Sequence, residues 1–239
     1  MARGGILVAL DTTEVATAAG WARATREWVA GVKLGLEFFN ARGQAGVAEI
    51  ACLGVPVFLD LKFHDIPNTV AGAVRAVAPL KPMILNLHAA GGAVMMKAAL
   101  DAARDSAAKL GAAPPKLIAV TVLTSLGDDD LAAVGQPSGA ADQVRRLAAL
   151  TQACGLDGVV CSPHEIALLR RDLGPDFLLV TPGVRPSWAA AGDQKRVMEP
   201  AQAMAAGADY LVIGRPITGA GDPAEAARRI AAEIAGVAA

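Results

Sequence analysis

The feature that most limits what this chain can fold into is an eightfold alternation of short aliphatic, β-branched runs with alanine-rich stretches of helical length. Such alternation is the sequence mark of βαβ units around a parallel sheet. The predicted strands are Ile6–Asp11, Gly31–Gly35, Val57–Phe63, Met83–His88, Leu117–Leu123, Gly158–Ser162, Phe177–Thr181 and Tyr210–Gly214. Their unbroken apolar character fits strands covered on both faces. Segments such as Thr13–Ala30, Leu36–Leu53, Thr69–Leu80, Ala93–Leu110, Ala141–Cys154 and Ala224–Ile234 carry apolar residues at three- and four-residue spacing, with charged residues between them. That pattern predicts amphipathic helices packed outside the sheet. Eight such units in 239 residues match an α/β fold of the (β/α)8 TIM barrel type better than an open doubly wound sheet. The first strand runs into Leu10-Asp11-Thr12-Thr13 without a glycine-rich dinucleotide fingerprint, and no linker or composition shift divides the chain. Residues 1–239 therefore read as a single barrel domain.

Composition removes several function classes. The 22 Lys and Arg against 23 Asp and Glu leave a net charge of −1, so no global positive field exists to hold nucleic acid or an anionic membrane. Aromatics at 4% argue against a base-stacking platform, while 54% hydrophobic residues supply a sizeable core. Cys52, Cys154 and Cys161 are odd in number and lack a Cys-x-x-Cys pair, so neither a disulfide framework nor a zinc knuckle is indicated. They read as small core residues in a reducing, cytoplasmic setting. The chain shows no signal-peptide core and no run of eighteen apolar residues. Function must come from a local site.

Charge on a buried strand needs a reason, because an uncompensated interior ion costs several kcal/mol. In Val57-Phe58-Leu59-Asp60-Leu61-Lys62-Phe63, the strand period of two sends Asp60 and Lys62 to one side of the sheet and Leu59, Leu61 and Phe63 to the other. Lys33 ends the second strand and Asp11 the first, so two ammonium groups and two carboxylates converge at the barrel mouth. An isolated Asp60–Lys62 pair would be an ordinary structural ion pair; four alternating charges form a preorganised electrostatic array. A lysine held between carboxylates stays protonated, which suits a proton donor better than a Schiff-base nucleophile and points toward acid chemistry at a carbanion. Asp65 lies beyond the strand and, by itself, reads as a helix-start carboxylate before Pro67.

Phosphate sites in such barrels are commonly built after strands seven and eight. Thr181-Pro182-Gly183-Val184-Arg185-Pro186 and Ile213-Gly214-Arg215-Pro216 follow those strands here, with Gln194 in the long connection Gly183–Pro200, a candidate lid. Glycine admits backbone N–H groups to an anion and arginine offers a matching fork, so a phosphorylated small molecule is expected. The other long connection, Ser125–Ala140, includes Asp128-Asp129-Asp130, a helix-start charge run rather than a metal cluster. Thr124 and Ser125 either donate to a ring carbonyl or cap that short helix. Asn86 and His88 alternate on strand four, where the histidine reads as a hydrogen-bonded core residue; His64 and His164 read as surface or supporting residues, and three scattered histidines make no metal site.

The segment Asp60-Leu61-Lys62-Phe63-His64-Asp65-Ile66-Pro67-Asn68-Thr69 resembles the signature of the orotidine 5′-phosphate decarboxylase family. Val8-Ala9-Leu10-Asp11, Val32-Lys33-Leu34-Gly35, Asn86-Leu87-His88-Ala89, Val122-Leu123-Thr124-Ser125, Thr181–Pro186, Gly192-Asp193-Gln194-Lys195-Arg196 and Ile213–Pro216 resemble family segments in the same order, across nearly the whole chain. The resemblance implies metal- and cofactor-free decarboxylation of orotidine 5′-monophosphate in pyrimidine synthesis. It implies Lys62 as proton donor to C6 and Asp60 beside the substrate carboxylate, as ground-state destabiliser or as organiser of the lysines. It further implies Lys33 holding the array and touching the ribose, and Asp11 on a ribose hydroxyl. Thr124 or Ser125 and Pro182 would border the pyrimidine, and Arg185, Gln194, Gly214 and Arg215 would hold phosphate. Asp65 and Thr69 would reach a neighbouring subunit's site in a homodimer. Two other readings compete. One is a magnesium-dependent sugar-phosphate decarboxylase or aldolase of a related barrel family, which carries an acidic ligand where this chain has Lys33. The other is a catalytically silent nucleotide-binding barrel, against which the complete set Lys33, Asp60, Lys62 and Asp65 stands.

Overall fold

The computed structural model describes residues 5–136, 139–189 and 198–236. Eight parallel strands pair in chain order and close into a barrel, β8 returning to β1. They are β1 Gly5–Ala9, β2 Gly31–Gly35, β3 Val57–Phe63, β4 Ile84–His88, β5 Lys116–Val120, β6 Gly158–Val160, β7 Leu178–Pro182 and β8 Tyr210–Ile213. The described helices are α1 Val15–Thr25, α2 Leu36–Ala51, α3 Pro67–Val77, α4 Gly92–Lys109, α5 Asp128–Ala133, α6 Gly139–Ala153, α7 Ile166–Leu173, α8 Pro200–Ala205, α9 Arg215–Thr218 and α10 Pro223–Ala235. Proline opens α3, α8, α9 and α10, at positions whose N–H has no helical partner to lose.

Side-chain alternation divides the core into two shells. Leu7, Phe58, Ile84, Ile118 and Val180 plug the barrel interior. The residues of opposite parity, among them Val8, Leu59, Leu61, Leu85 and Leu87, are buried between sheet and helices. Moving up the interior columns, Leu7 leads to Asp11, Phe58 to Asp60 and Lys62, and Ile84 to Asn86. The apolar plug thus gives way to polar groups at the C-terminal mouth.

Several predicted strands run past the observed ladders. Asp11, Leu123, Ser162 and Gly214 lie in loops, because pairing stops where the chain leaves the barrel rim, although apolar residues such as Leu10 stay buried beneath the helices. The N-terminal rim is tied by carboxylates: Asp209 accepts from Leu179 N–H at 2.8 Å and from Arg170 at 2.7 Å, and Asp157 accepts from Leu117 N–H at 2.9 Å. Cys154 and Cys161 are buried as expected, with the Cys161 thiol pushed up to about 12 by burial. Cys52 is exposed, contrary to expectation, because it ends α2 on its outer side. Among the described residues no helix is long and apolar enough to cross a membrane.

Candidate active site

Asp60 sits at the centre of the mouth, only 6% exposed. Its Oδ1 accepts from Lys62 Nζ at 2.6 Å and from Asn86 Nδ2 at 2.7 Å, and its Oδ2 lies 3.5 Å from Lys33 Nζ. Lys33, itself 9% exposed, donates to Asp11 Oδ1 at 2.9 Å. The four charges expected to converge from three adjacent strands do so, as a chain Asp11–Lys33–Asp60–Lys62. Gly35 makes room for it, since a Cβ there would lie 3.0 Å from Lys33 Nζ. Burial works against the Asp60 carboxylate, but the ammonium groups of Lys33 and Lys62, with hydrogen bonds from Lys62 and Asn86, outweigh it and hold its pKa below the ordinary carboxylate value.

Strand pleat alone does not place Lys62. Its φ of 50° is left-handed, and the β3–β4 register shifts between Leu59 and Phe63. A non-glycine residue in that conformation costs about 1–3 kcal/mol and persists only where its surroundings fix it. The Lys62 N–H, released from the ladder, donates to Asn86 Oδ1 at 2.8 Å. The sequence alone assigns Asn86 no role; its one signal is an uncharged amide on the interior face of a buried strand.

A cavity of about 340 Å³ opens above the array. Asp11, Lys33, Asp60 and Lys62 line one side; Val120, Val122, Leu123 and Thr124 line another; Pro182, Arg185, Gly214 and Arg215 complete it. Gly183, at φ 81°, turns the chain after β7 so that Val184 bridges to Met198 and Arg185 N–H reaches the Met198 carbonyl at 3.0 Å. Arg185 is buried and Arg215 exposed, so the expected phosphate side offers one fixed and one solvent-facing guanidinium.

The remaining expectations divide. Ser125 is exposed and does not line the cavity, and neither Thr124 nor Ser125 caps α5. Gly127 and Asp130 form that cap, and Asp128–Asp130 fill the first turn as a helix-start run. Asp65 and Thr69 are exposed and outside this chain's cavity, and Asp65 accepts from Ile66 N–H at 2.6 Å. Gln194 lies outside the described residues. His88 is half-buried rather than a core residue: its ring stacks on the exposed His64 ring with centroids 5.4 Å apart, and burial, His64 and Lys62 push its pKa down. Among the described residues no group of three or more His, Cys, Asp or Glu could hold a metal ion.

An interior lysine–carboxylate chain below two arginines is compatible with several phosphate chemistries, and comparison with known proteins narrows them. The family model described as the orotidine 5′-phosphate decarboxylase / HUMPS family matches residues 5–230. The chain belongs to this family. The orotidine 5′-phosphate decarboxylase of Rhodospirillum rubrum is 63% identical over 237 residues, covering 99% of this chain and 96% of the relative. That of Moorella thermoacetica is 52% identical over 234 residues, covering 98% and 93%. The crystal structure of orotidine 5′-phosphate decarboxylase from Lactobacillus acidophilus superposes with a TM-score of 0.86 at 37% identity, covering 97% of this chain and 99% of that one. Family membership thus agrees with the barrel and the order of the sequence motifs.

Proposed function

We propose that the protein decarboxylates orotidine 5′-monophosphate to uridine 5′-monophosphate and carbon dioxide, in pyrimidine biosynthesis. The observation that carries this reading is the buried Asp60 carboxylate held between the Lys33 and Lys62 ammonium groups in a cavity also lined by Arg185, Gly214 and Arg215. The C6–carboxylate bond breaks with its electron pair left on C6, carbon dioxide departs, and Lys62 Nζ delivers a proton to C6. Lys33 and Lys62 stabilise the developing negative charge without having to reorganise, because Asp60 and Asp11 already fix them. Asp11 and Lys33 take the ribose, Pro182 with Thr124 borders the pyrimidine, and Arg185, Gln194, Gly214 and Arg215 take the phosphate. The magnesium-dependent reading fails on charge: an ammonium at the end of β2, where those barrels carry an acidic ligand, repels Mg²⁺.

Phosphate lies far from the reacting carbon, so binding energy gained there is available to organise the reacting end. Arg215→Ala is expected to raise KM and lower kcat/KM about 10- to 100-fold, the effect of losing one hydrogen bond to a charged group. Because Arg215 is exposed, its thermal midpoint should stay close to wild type. Steady-state kinetics beside a thermal melt checks both; an unchanged kcat/KM removes Arg215 from the site.

The same reading makes the protein a homodimer in which Asp65 and Thr69 complete the neighbouring site. Two observations support it. Both residues are exposed and do not line the cavity above the array, and Ile66 between them is 67% exposed. Leu36 and Val94, also exposed, follow the C-terminal ends of β2 and β4, apolar side chains at the same end of the barrel as Asp65. Mixing inactive Lys62→Ala with inactive Asp65→Ala protein, with subunit exchange allowed, should restore about a quarter of the native sites, since half the dimers are mixed and each holds one intact site. No recovery after verified exchange would contradict shared sites. A cytoplasmic setting goes with the same proposal, and three free thiols fit a reducing compartment.

A further inference from the structure

We infer that Asn86 is a positioning residue for the decarboxylation, fixing through one amide both the Asp60 carboxylate and the place of the Lys62 ammonium; the inference rests on the function proposed above. Asn86 is fully buried on the interior face of β4. Its Nδ2 donates to Asp60 Oδ1 at 2.7 Å, the same oxygen that takes Lys62 Nζ at 2.6 Å. Its Oδ1 accepts from the Lys62 backbone N–H at 2.8 Å. Asparagine is suited to this task because its amide is donor and acceptor in a fixed relation. Here the donor fixes the carboxylate that receives the ammonium, and the acceptor fixes the backbone from which that ammonium hangs.

The left-handed Lys62 backbone makes the second contact consequential. Between Leu59 and Phe63 the β3–β4 ladder loses register, so the ladder does not hold the Lys62 peptide. The Asn86 carbonyl takes over that N–H. Without it Lys62 can relax toward extended backbone, which re-aims its side chain relative to the barrel mouth. Displacement of a reacting group by about 1 Å can cost about 100-fold in rate, while groups gripping the remote phosphate are untouched.

The test uses Asn86→Leu and Asn86→Asp in the full-length protein, with decarboxylation kinetics, affinity for uridine 5′-monophosphate and a thermal melt. Asn86→Leu fills the same space with no hydrogen bonds and should lose kcat about 10- to 100-fold. Its product affinity should change less than about threefold if only positioning is lost. Asn86→Asp keeps the acceptor for Lys62 N–H but can donate to Asp60 only when protonated. Its charged neighbours are Asp60 and Lys62 on β3, Lys33 on β2 with Asp11 behind it, and His88 on β4; β5 presents the apolar Ile118 and Val120. Its kcat relative to wild type at each pH should therefore rise as pH falls. A folded Asn86→Leu with wild-type kcat, or an Asn86→Asp ratio flat with pH, would overturn the inference. So would equal losses of kcat and product affinity in both variants, which mark a merely structural residue. Should Asn86→Leu fail to fold, the pH ratio of Asn86→Asp decides. Inactive wild-type protein would overturn the proposed function and this inference with it, whereas an active wild type with unaltered variants overturns the inference alone.

Discussion

Lys62→Ala protein is expected to lose turnover of orotidine 5′-monophosphate by at least about 10⁴-fold, the upper end of what a positioned proton donor contributes, because two effects coincide. Lys62 Nζ, 2.6 Å from Asp60, is the ammonium at the open end of the array, so its removal deletes both the proton source and a positive charge facing the developing carbanion. Binding should survive, because Arg185, Arg215, Pro182 and Thr124 also line the cavity and remain in the variant. Asp60 keeps Lys33 and Asn86 as partners, so no uncompensated interior carboxylate is left behind. The check is single-turnover kinetics together with titration of uridine 5′-monophosphate. Retained product affinity without turnover is the expected pair of results; turnover within tenfold of wild type would remove Lys62 as the donor.

The second large effect belongs to Asp60. Asp60→Asn preserves shape but leaves the Lys33 and Lys62 ammonium groups without the buried anion between them, and kcat/KM should fall by about 10³-fold or more. Substrate and product affinities then separate two roles. If Asp60 acts by repelling the substrate carboxylate, the variant binds orotidine 5′-monophosphate more tightly and uridine 5′-monophosphate unchanged; if it organises the lysines, the two affinities move together. A linked effect appears in stability. Asp60 has its pKa lowered in the folded state, so its contribution is present above the ordinary carboxylate pKa and is lost as pH falls through the lower folded value. Wild type should therefore lose its advantage over Asp60→Asn only below about pH 4. Urea unfolding of both proteins at pH 7 and pH 3 measures this; an advantage as large at pH 3 as at pH 7 would contradict the ionised array.

The barrel was legible because parallel strands covered on both faces leave an unmistakable apolar run, and eight of them separated by amphipathic segments admit few arrangements. The array was legible for the opposite reason: Lys33, Asp60 and Lys62 are charges where only apolar residues are otherwise tolerated, two of them at the strand period. What escaped was chiefly conformational. The left-handed turn at Lys62 has no sequence signal, since lysine is an ordinary strand residue until its ladder partner is lost. Asn86 carries no sequence signal of its role, which lies in two contacts, one to the Asp60 carboxylate and one to the Lys62 N–H. Asp65 and Thr69 do not line the cavity above the array, and neither pleat nor helix geometry within one subunit gives them a role; only the family resemblance does. Cys52 was misplaced in the core because a small apolar residue at a helix end carries no mark of which side it faces.

The most direct test of the central claim is the fall in ultraviolet absorbance when wild-type protein is added to orotidine 5′-monophosphate in the presence of EDTA. Rapid, chelator-insensitive loss with stoichiometric appearance of uridine 5′-monophosphate is expected. No loss, or loss that appears only after Mg²⁺ is restored, would contradict it.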